Sequence, residues 1–180
     1  MAQKLRLDTR PPAYDSVVEA TLDDEASKLV DDAVEMATWR AVSPRRPEVS
    51  PPIAFVDGVQ QIEARVSAEG KGWPARGLIA SFAAGAIIPE HECAPCHVRV
   101  GRRIILSQGR QPDALRIEAN NGAFDYQPIS SAGDDPAGLD ATLGELRAQL
   151  ETEVVRALID EGSEVIVVDG RLPPVTSSNA

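Results

Sequence analysis

The chain has 180 residues, 43% of them hydrophobic, 4% aromatic and 26% charged, which is the size of one domain and excludes disorder throughout and collagen-like repeats. Against 18 Lys and Arg stand 28 Asp and Glu, a net charge of −10, so no general positive field draws in phosphate backbones, and the few aromatics leave few platforms for stacked bases. Met1 to Arg10 carry basic side chains with no apolar run behind them, and no stretch reaches the ~18 apolar residues of a membrane span, so a cytoplasmic protein is expected.

Residues 14–40 place Val18, Leu22, Ala26, Leu29, Ala33 and Ala37 at steps of three and four, the spacing of an amphipathic helix. Its other face carries Asp15, Glu19, Asp23, Asp24, Glu25, Asp31, Asp32 and Glu35, most simply a solvated surface, alternatively a docking face for a basic partner. Ser43 to Pro52 holds four prolines and reads as a linker. Residues 1–48 are therefore expected to form an acidic helix with its linker, 49–175 an α/β domain, and 176–180 a tail.

Ile53 to Val56 is a short apolar run that stops at Asp57-Gly58, a turn signal, and Ile62, Ala64 and Val66 then alternate with polar residues as in a half-buried strand. After a turn at Gly70 to Gly72, Ala75 to Ile88 is long enough for a helix, but Gly77 and Gly85 favour a strand in an antiparallel meander. Val98, Val100, Ile104 and Leu106 suggest another strand, or two joined at Gly101. Residues 108–137, rich in Gly, Asn, Asp, Ser and Pro, read as a variable loop with apolar pieces at Leu115–Ile117 and Phe124–Tyr126. Asp140 to Glu161 is a second helix, with a stripe of Leu143, Leu146, Leu150, Val154 and Ala157 or Leu158 and a stop at Gly162. Val165 to Val168 is a last apolar run, again followed by Asp-Gly.

The two runs IAFVDG and VIVVDG share a form: each delivers an aspartate at the end of a core strand, with a glycine behind it. A single Asp-Gly is most simply a turn. Two of them after similar strands, with a glutamate-bearing helix between, suggest a shared site at the rim of a sheet. If the strands are neighbours, Asp57 and Asp169 meet across 112 residues, and two carboxylates held close need a proton or a divalent cation between them. Oxygen-only ligands suit Mg²⁺ or Mn²⁺. For the helix glutamate, with Leu150 as the centre of the stripe, Glu153 lies ~60° to one side and Glu151 ~100° to the other. Glu153 is thus the first choice and Glu151 the second.

The order strand-Asp, antiparallel strands, helix with Glu, strand-Asp resembles the ribonuclease H-like mixed sheet, an antiparallel meander plus a parallel strand after a crossover helix. Within that superfamily, VDG at Val56–Gly58, VVDGRL at Val167–Leu172 and the glutamate-rich helix resemble the NurA nucleases over about residues 50–175. The resemblance implies Mn²⁺-dependent DNA cleavage by a dimer beside a HerA-type ring translocase, with Asp57 and Asp169 as metal-binding aspartates. The chain departs from the family in having Val59 where Ser usually follows the first Asp-Gly, and in stopping just after the fourth core strand, so either a fragment of a longer product or a shortened fold with an incomplete metal site is expected. DNA contact would rest on a few arginines, such as Arg65, Arg76, Arg102 and Arg103, or on the partner.

HECAPCH at residues 91–97 has the CxxCH spacing of c-type haem attachment, and His91, Cys93, Cys96 and His97 could be set around zinc, although four ligands in seven residues crowd a tetrahedron. An incidental loop is the simplest reading. Phosphate-loop, dinucleotide and nucleophile-elbow motifs are missing from the sequence. Two functions are carried forward: a metal-dependent nuclease, and a non-catalytic interaction module on the same or another α/β scaffold.

Overall fold

A computed structural model describes residues 4–8, 51–69, 74–89, 94–120, 122–133 and 135–169. The acidic helix at 14–40, most of the proline-rich linker, the turn at 70–72, His91, Cys93, Gly170 and the tail lie outside the described residues. Within them the chain is mixed α/β: a curled, seven-stranded mixed sheet and one helix. In chain order the elements are β1 (Leu5–Leu7), β2 (Ile53–Ala68), β3 (Ala75–Ile87), β4 (Pro95–Leu106), β5 (Leu115–Ala119), β6 (Gly122–Ser130), α1 (Pro136–Asp160) and β7 (Val165–Val168).

The expected meander is present: β2, β3 and β4 pair antiparallel in sequence order. After α1, β7 lies parallel to β2, with Ile53 opposite Val165 and Val56 opposite Val168. The strand β1 joins the same edge of β2 at its other end, Leu7 opposite Val66. Further out, β6 runs parallel to β4 and carries β5 as an antiparallel hairpin partner. That hairpin replaces most of the expected loop at 108–137.

One helix packs on one face of the sheet. Leu78, Ala80, Phe82 and Ile105 bury Leu139, Leu143 and Leu146 of the first half of α1, and Ala54, Val56, Ala84 and Ala86 bury Val154, Val155 and Leu158 of the second. The seven fully covered aliphatic side chains of the helix and sheet in these two clusters, at ~1.5–3 kcal/mol each, are the main force docking α1. Phe82 fits because Gly101 lies opposite it: a Cβ there would clash with the edge of the Phe82 ring, nearest its Cζ. The helix starts four residues before the expected Asp140. Asp135 caps it by accepting the Gly138 N–H at 2.7 Å, and Pro136 fills the first turn, where no N–H is needed. It stops at Gly162, whose φ of 87° closes the last turn with bonds from Gly162 and Ser163 back to Ile159 and Leu158.

A second core lies on the other face. Val66, Ala68, Ile79, Ile104, Leu106 and Tyr126 gather there, with Leu5, Ala64 and Leu115 against them. A bulge between Ile62 and Ala64 makes this possible, because it reverses which residues of β2 face the helix. Ile62 packs on the helix side, whereas Ala64 and Val66 pack on the opposite side. The simple alternation read through Ile62, Ala64 and Val66 is corrected accordingly. Before the bulge, that opposite face is open among the described residues: Phe55, Val59, Ile87, Val98, Val100 and Val167 are exposed.

Candidate functional site: a carboxylate cluster at the end of β7

Asp57 is not at the end of a strand. The strand β2 runs straight through Asp57-Gly58, with Asp57 opposite Gly85 and Gly58 opposite Ala84, so the turn expected there is corrected to continuous strand. The physical reason lies in the neighbours. The run of β7 stops opposite Val56, and two residues further on the Gly58 N–H is bonded by the Asp57 carboxylate at 2.7 Å. Asp169 is the first residue past β7, so the register that pairs Val56 with Val168 sets Asp57 and Asp169 at the next step on adjacent strands. Both side chains are exposed.

Gly58 is glycine because of the helix above it. A Cβ there would overlap the Oε1 of Glu151 and stand 3.0 Å from its Cδ. The Glu151 side chain therefore fills the space over the Gly58 backbone and is buried, with 8% exposure. Burial, the largest cause, raises the Glu151 carboxyl above the ordinary carboxylate range. The charge on Arg147 works against this, while Asp57 and Asp169 add to it by like-charge repulsion. Glu151 therefore feels the charge of both aspartates. Arg147 sits one helical turn before Glu151, its Nε 3.5 Å from Oε1, and its Nη1 donates to the Gly58 carbonyl at 3.2 Å.

Of the two glutamates weighed from the sequence, Glu151 faces the sheet and Glu153 faces solvent. The stripe does not keep one centre. Its first half is buried through Leu139, Leu143 and Leu146, its second through Glu151, Val154, Val155 and Leu158, so the buried face of the second half is centred about 90° from Leu150 toward Glu151. A long helix crossing a curled sheet turns its contact line in this way.

The arginines proposed for nucleic acid lie elsewhere. Arg65 follows Asp57 by eight residues, roughly 26 Å along the strand, and pairs with Asp140 on α1 at 3.2 Å. Arg76 is exposed opposite Ser67, roughly 33 Å along the sheet from Asp57. Arg102 stacks over Phe124 and Arg103 over Phe82, with ring-centre distances of 4.9 and 5.8 Å. The cation at the carboxylates is Arg147, which sequence reasoning missed. Its signal was present: Arg at i and Glu at i+4 on the helix that carries the glutamate.

The loop expected at 91–97 is corrected at its end, since β4 already begins at Pro95; Cys96 packs half-buried on the core, its Sγ donating to the Ala86 carbonyl at 3.4 Å. His97 adopts a φ of 52° at the register shift of β3 and β4, and its Nε2 lies 3.0 Å from Glu161 at the end of α1. The two side chains are thus engaged by separate parts of the fold.

Asp57 and Asp169, at the next step on adjacent strands, present carboxylate oxygens of the kind that suits hard divalent cations, on the sheet face opposite Glu151. Among the described residues no three His, Cys, Asp or Glu side chains stand in the spacing of a ready-formed metal centre. What favours a cation there is the pair of exposed aspartates on adjacent strands, with Glu151, over Gly58 on the helix side, feeling the charge of both. No helix among the described residues is long and apolar enough to cross a membrane. No protein-family model matches the chain, and no curated protein matches its sequence.

Proposed function

We propose that this chain carries a metal-dependent nuclease site on a ribonuclease H-like, NurA-type scaffold, with Asp57, Glu151 and Asp169 as oxygen ligands for Mn²⁺ or Mg²⁺. The observation that supports the reading is the parallel register of β2 and β7, Val56 opposite Val168, which brings Asp57 and Asp169 to the next step on adjacent strands. Asp57 and Asp169 hold their oxygens on paired strands, a rigid base that keeps them in place without further ordering. Glu151 lies over Gly58 on the helix side of the sheet and would reach the cation past that glycine, which has no side chain to block it. Divalent cations bound there supply an activated water and neutralise charge on a phosphodiester. Arg147, fixed to the Gly58 carbonyl, adds positive charge on the helix side. By resemblance, the substrate is single-stranded DNA or DNA ends, and the partner a HerA-type translocase.

Single-stranded DNA incubated with Mn²⁺ and either wild type or Asp57→Asn tests this reading. Cleavage by wild type and at least a hundredfold loss in the variant are expected. No cleavage by wild type, or equal cleavage by both, overturns it. A second reading, a non-catalytic interaction module, is favoured by the open apolar face of Phe55, Val59, Ile87, Val98, Val100 and Val167. Inert wild type combined with self-association or partner binding that is lost in Val59→Lys would support that alternative.

A further inference from the structure

We propose that two copies of this chain pack through the sheet face opposite α1, with Asp57 of each copy set against Arg102 of the other. The inference goes beyond both readings above. For an interaction module it names the partner, and for a nuclease it names a closed form in which a guanidinium stands where the cation would bind.

Strand alternation gives the face its content. Ten large hydrophobic side chains are exposed among the described residues, and of these only Ile159 belongs to α1. The six already named on β2, β3, β4 and β7 share the face of Asp57, since the alternate positions Val56, Ala84 and Ala86 are buried under the helix. Ile117 and Phe124 extend the face, because they pair two residues beyond Leu115 and Tyr126, which pack in the second core on that same side. At exposures between 39% and 65%, these eight side chains present roughly 600 Å² of apolar surface, the top of the range for the largest patch on a monomer. With Ala83, Gly85 and the polar side chains between them, the face reaches about the 800 Å² that each partner gives to a standard interface.

Charge selects a second copy as the occupant. The face carries carboxylates at one corner, Asp57 beside Asp169, and a guanidinium at the other, Arg102, which lies over the Phe124 ring at 4.9 Å. A uniformly basic partner would satisfy the aspartates and meet Arg102 as a like charge. On β3, Asp57 is opposite Gly85 and Arg102 opposite Ser81, so the two stand two strands and four residues apart, roughly 16 Å, with Ala83 midway. A two-fold axis lying in the interface at Ala83 exchanges them, so both contacts form at once, the self-complementarity of an isologous dimer. Docking encloses Asp57 between Phe55 and Val59, and a carboxylate enclosed in this way needs a countercharge. The small side chains at Ala83 and Gly85 leave room at the centre for the branched side chains of the facing sheet, at the ~10 Å spacing of packed sheets.

Sedimentation equilibrium of the full chain at about 0.15 M salt, from about 1 to 100 µM, tests this. Wild type is expected to reach a dimer within that range. Val59→Lys and Val100→Lys, both at exposed positions, are expected to stay monomeric with the circular dichroism melts of wild type. Asp57→Arg and Arg102→Glu should each weaken association at least about tenfold, and the double exchange should return it to within about threefold of wild type. Recovery by exchange is an outcome that loss of packing alone would not give. A wild type that stays monomeric overturns the inference, as does a dimer that survives Val59→Lys and Val100→Lys, or an exchange without recovery. A monomeric wild type leaves the interaction-module reading to a partner of another kind, and cleavage of DNA decides the nuclease reading separately.

Discussion

Replacing Gly58 by alanine tests the carboxylate cluster with a single methyl group. The added Cβ would overlap Glu151 Oε1 and stand 3.0 Å from both Glu151 Cδ and Arg147 Cγ. The backbone of β2 cannot retreat, because it is paired with β3 on one side and with β7 just before it. The end of the glutamate can. The stability cost therefore falls at the low end of overpacking, about 1 kcal/mol, or a fall of ~3–5 °C in melting temperature. The cost to the site is larger, since a displacement near 1 Å at a catalytic position is worth about a hundredfold in rate. Circular dichroism melts and Mn²⁺ titrations measure the two effects separately, and Gly58→Ala should lose about tenfold in Mn²⁺ affinity. Gly85→Ala is the control: it lies opposite Asp57, but its Cβ would meet Val98 Cγ2 at 3.4 Å, an ordinary contact. That variant should stay within about 0.5 kcal/mol of wild type and bind Mn²⁺ unchanged. Wild-type melting and affinity in Gly58→Ala would refute the placement of Glu151 over Gly58.

Burial, and then the charges on Asp57 and Asp169, hold the Glu151 carboxyl above the ordinary range against the pull of Arg147. The folded state thus keeps this proton to higher pH than the unfolded chain. Its contribution to stability is full below the unfolded pKa and is lost as pH rises through the raised one. Metal-free wild type should lose melting temperature relative to Glu151→Gln across that interval, and parallel pH profiles would contradict it. Tyr126 donates to Glu63, and burial, with that bond second, pushes the phenol up to about 12. The ultraviolet titration difference between wild type and Tyr126→Phe should show one phenol ionising at about 12, with the associated stability lost between about 10 and about 12; ionisation near 10 would count against the buried bond. Leu143, fully buried between helix and sheet, should cost about 2–5 kcal/mol as Leu143→Ala in denaturant unfolding, and a loss below 1 kcal/mol would show that α1 is not docked as described.

Strands β3 and β7 and the body of α1 were legible because their apolar periods are long or cleanly bounded. That the two strands leading to Asp57 and Asp169 are neighbours was legible too, because matched strand–Asp–Gly runs are a pattern of sequence. Asp57-Gly58 misleads as a turn because local chemistry favours one, whereas here the glycine answers to Glu151, 93 residues later. The β5–β6 hairpin, in which Ala119 pairs with Gly122, has a signal in the sequence as well, since an Asn-Asn pair between two apolar pieces favours a turn. The choice of Glu153 over Glu151 followed from assuming one centre for the stripe, and that centre turns along the helix by an amount only the curl of the sheet determines. The bulge at Glu63 leaves no comparable mark, since Ile62, Ala64 and Val66 alternate smoothly through it.

The strand β7 has four residues and reaches β2 from 112 residues away, Ile53 opposite Val165. Closing so large a loop is costly until the intervening meander and helix have shortened the path. A chain caught before that step would have its helix and its antiparallel strands, yet only Asp57 and Glu151 of the three carboxylates in place. Asp169 arrives with the most distant contact in the sheet, so the arrangement of the cluster reports completion of the topology. An intermediate that retains most of the secondary structure would lack the full constellation.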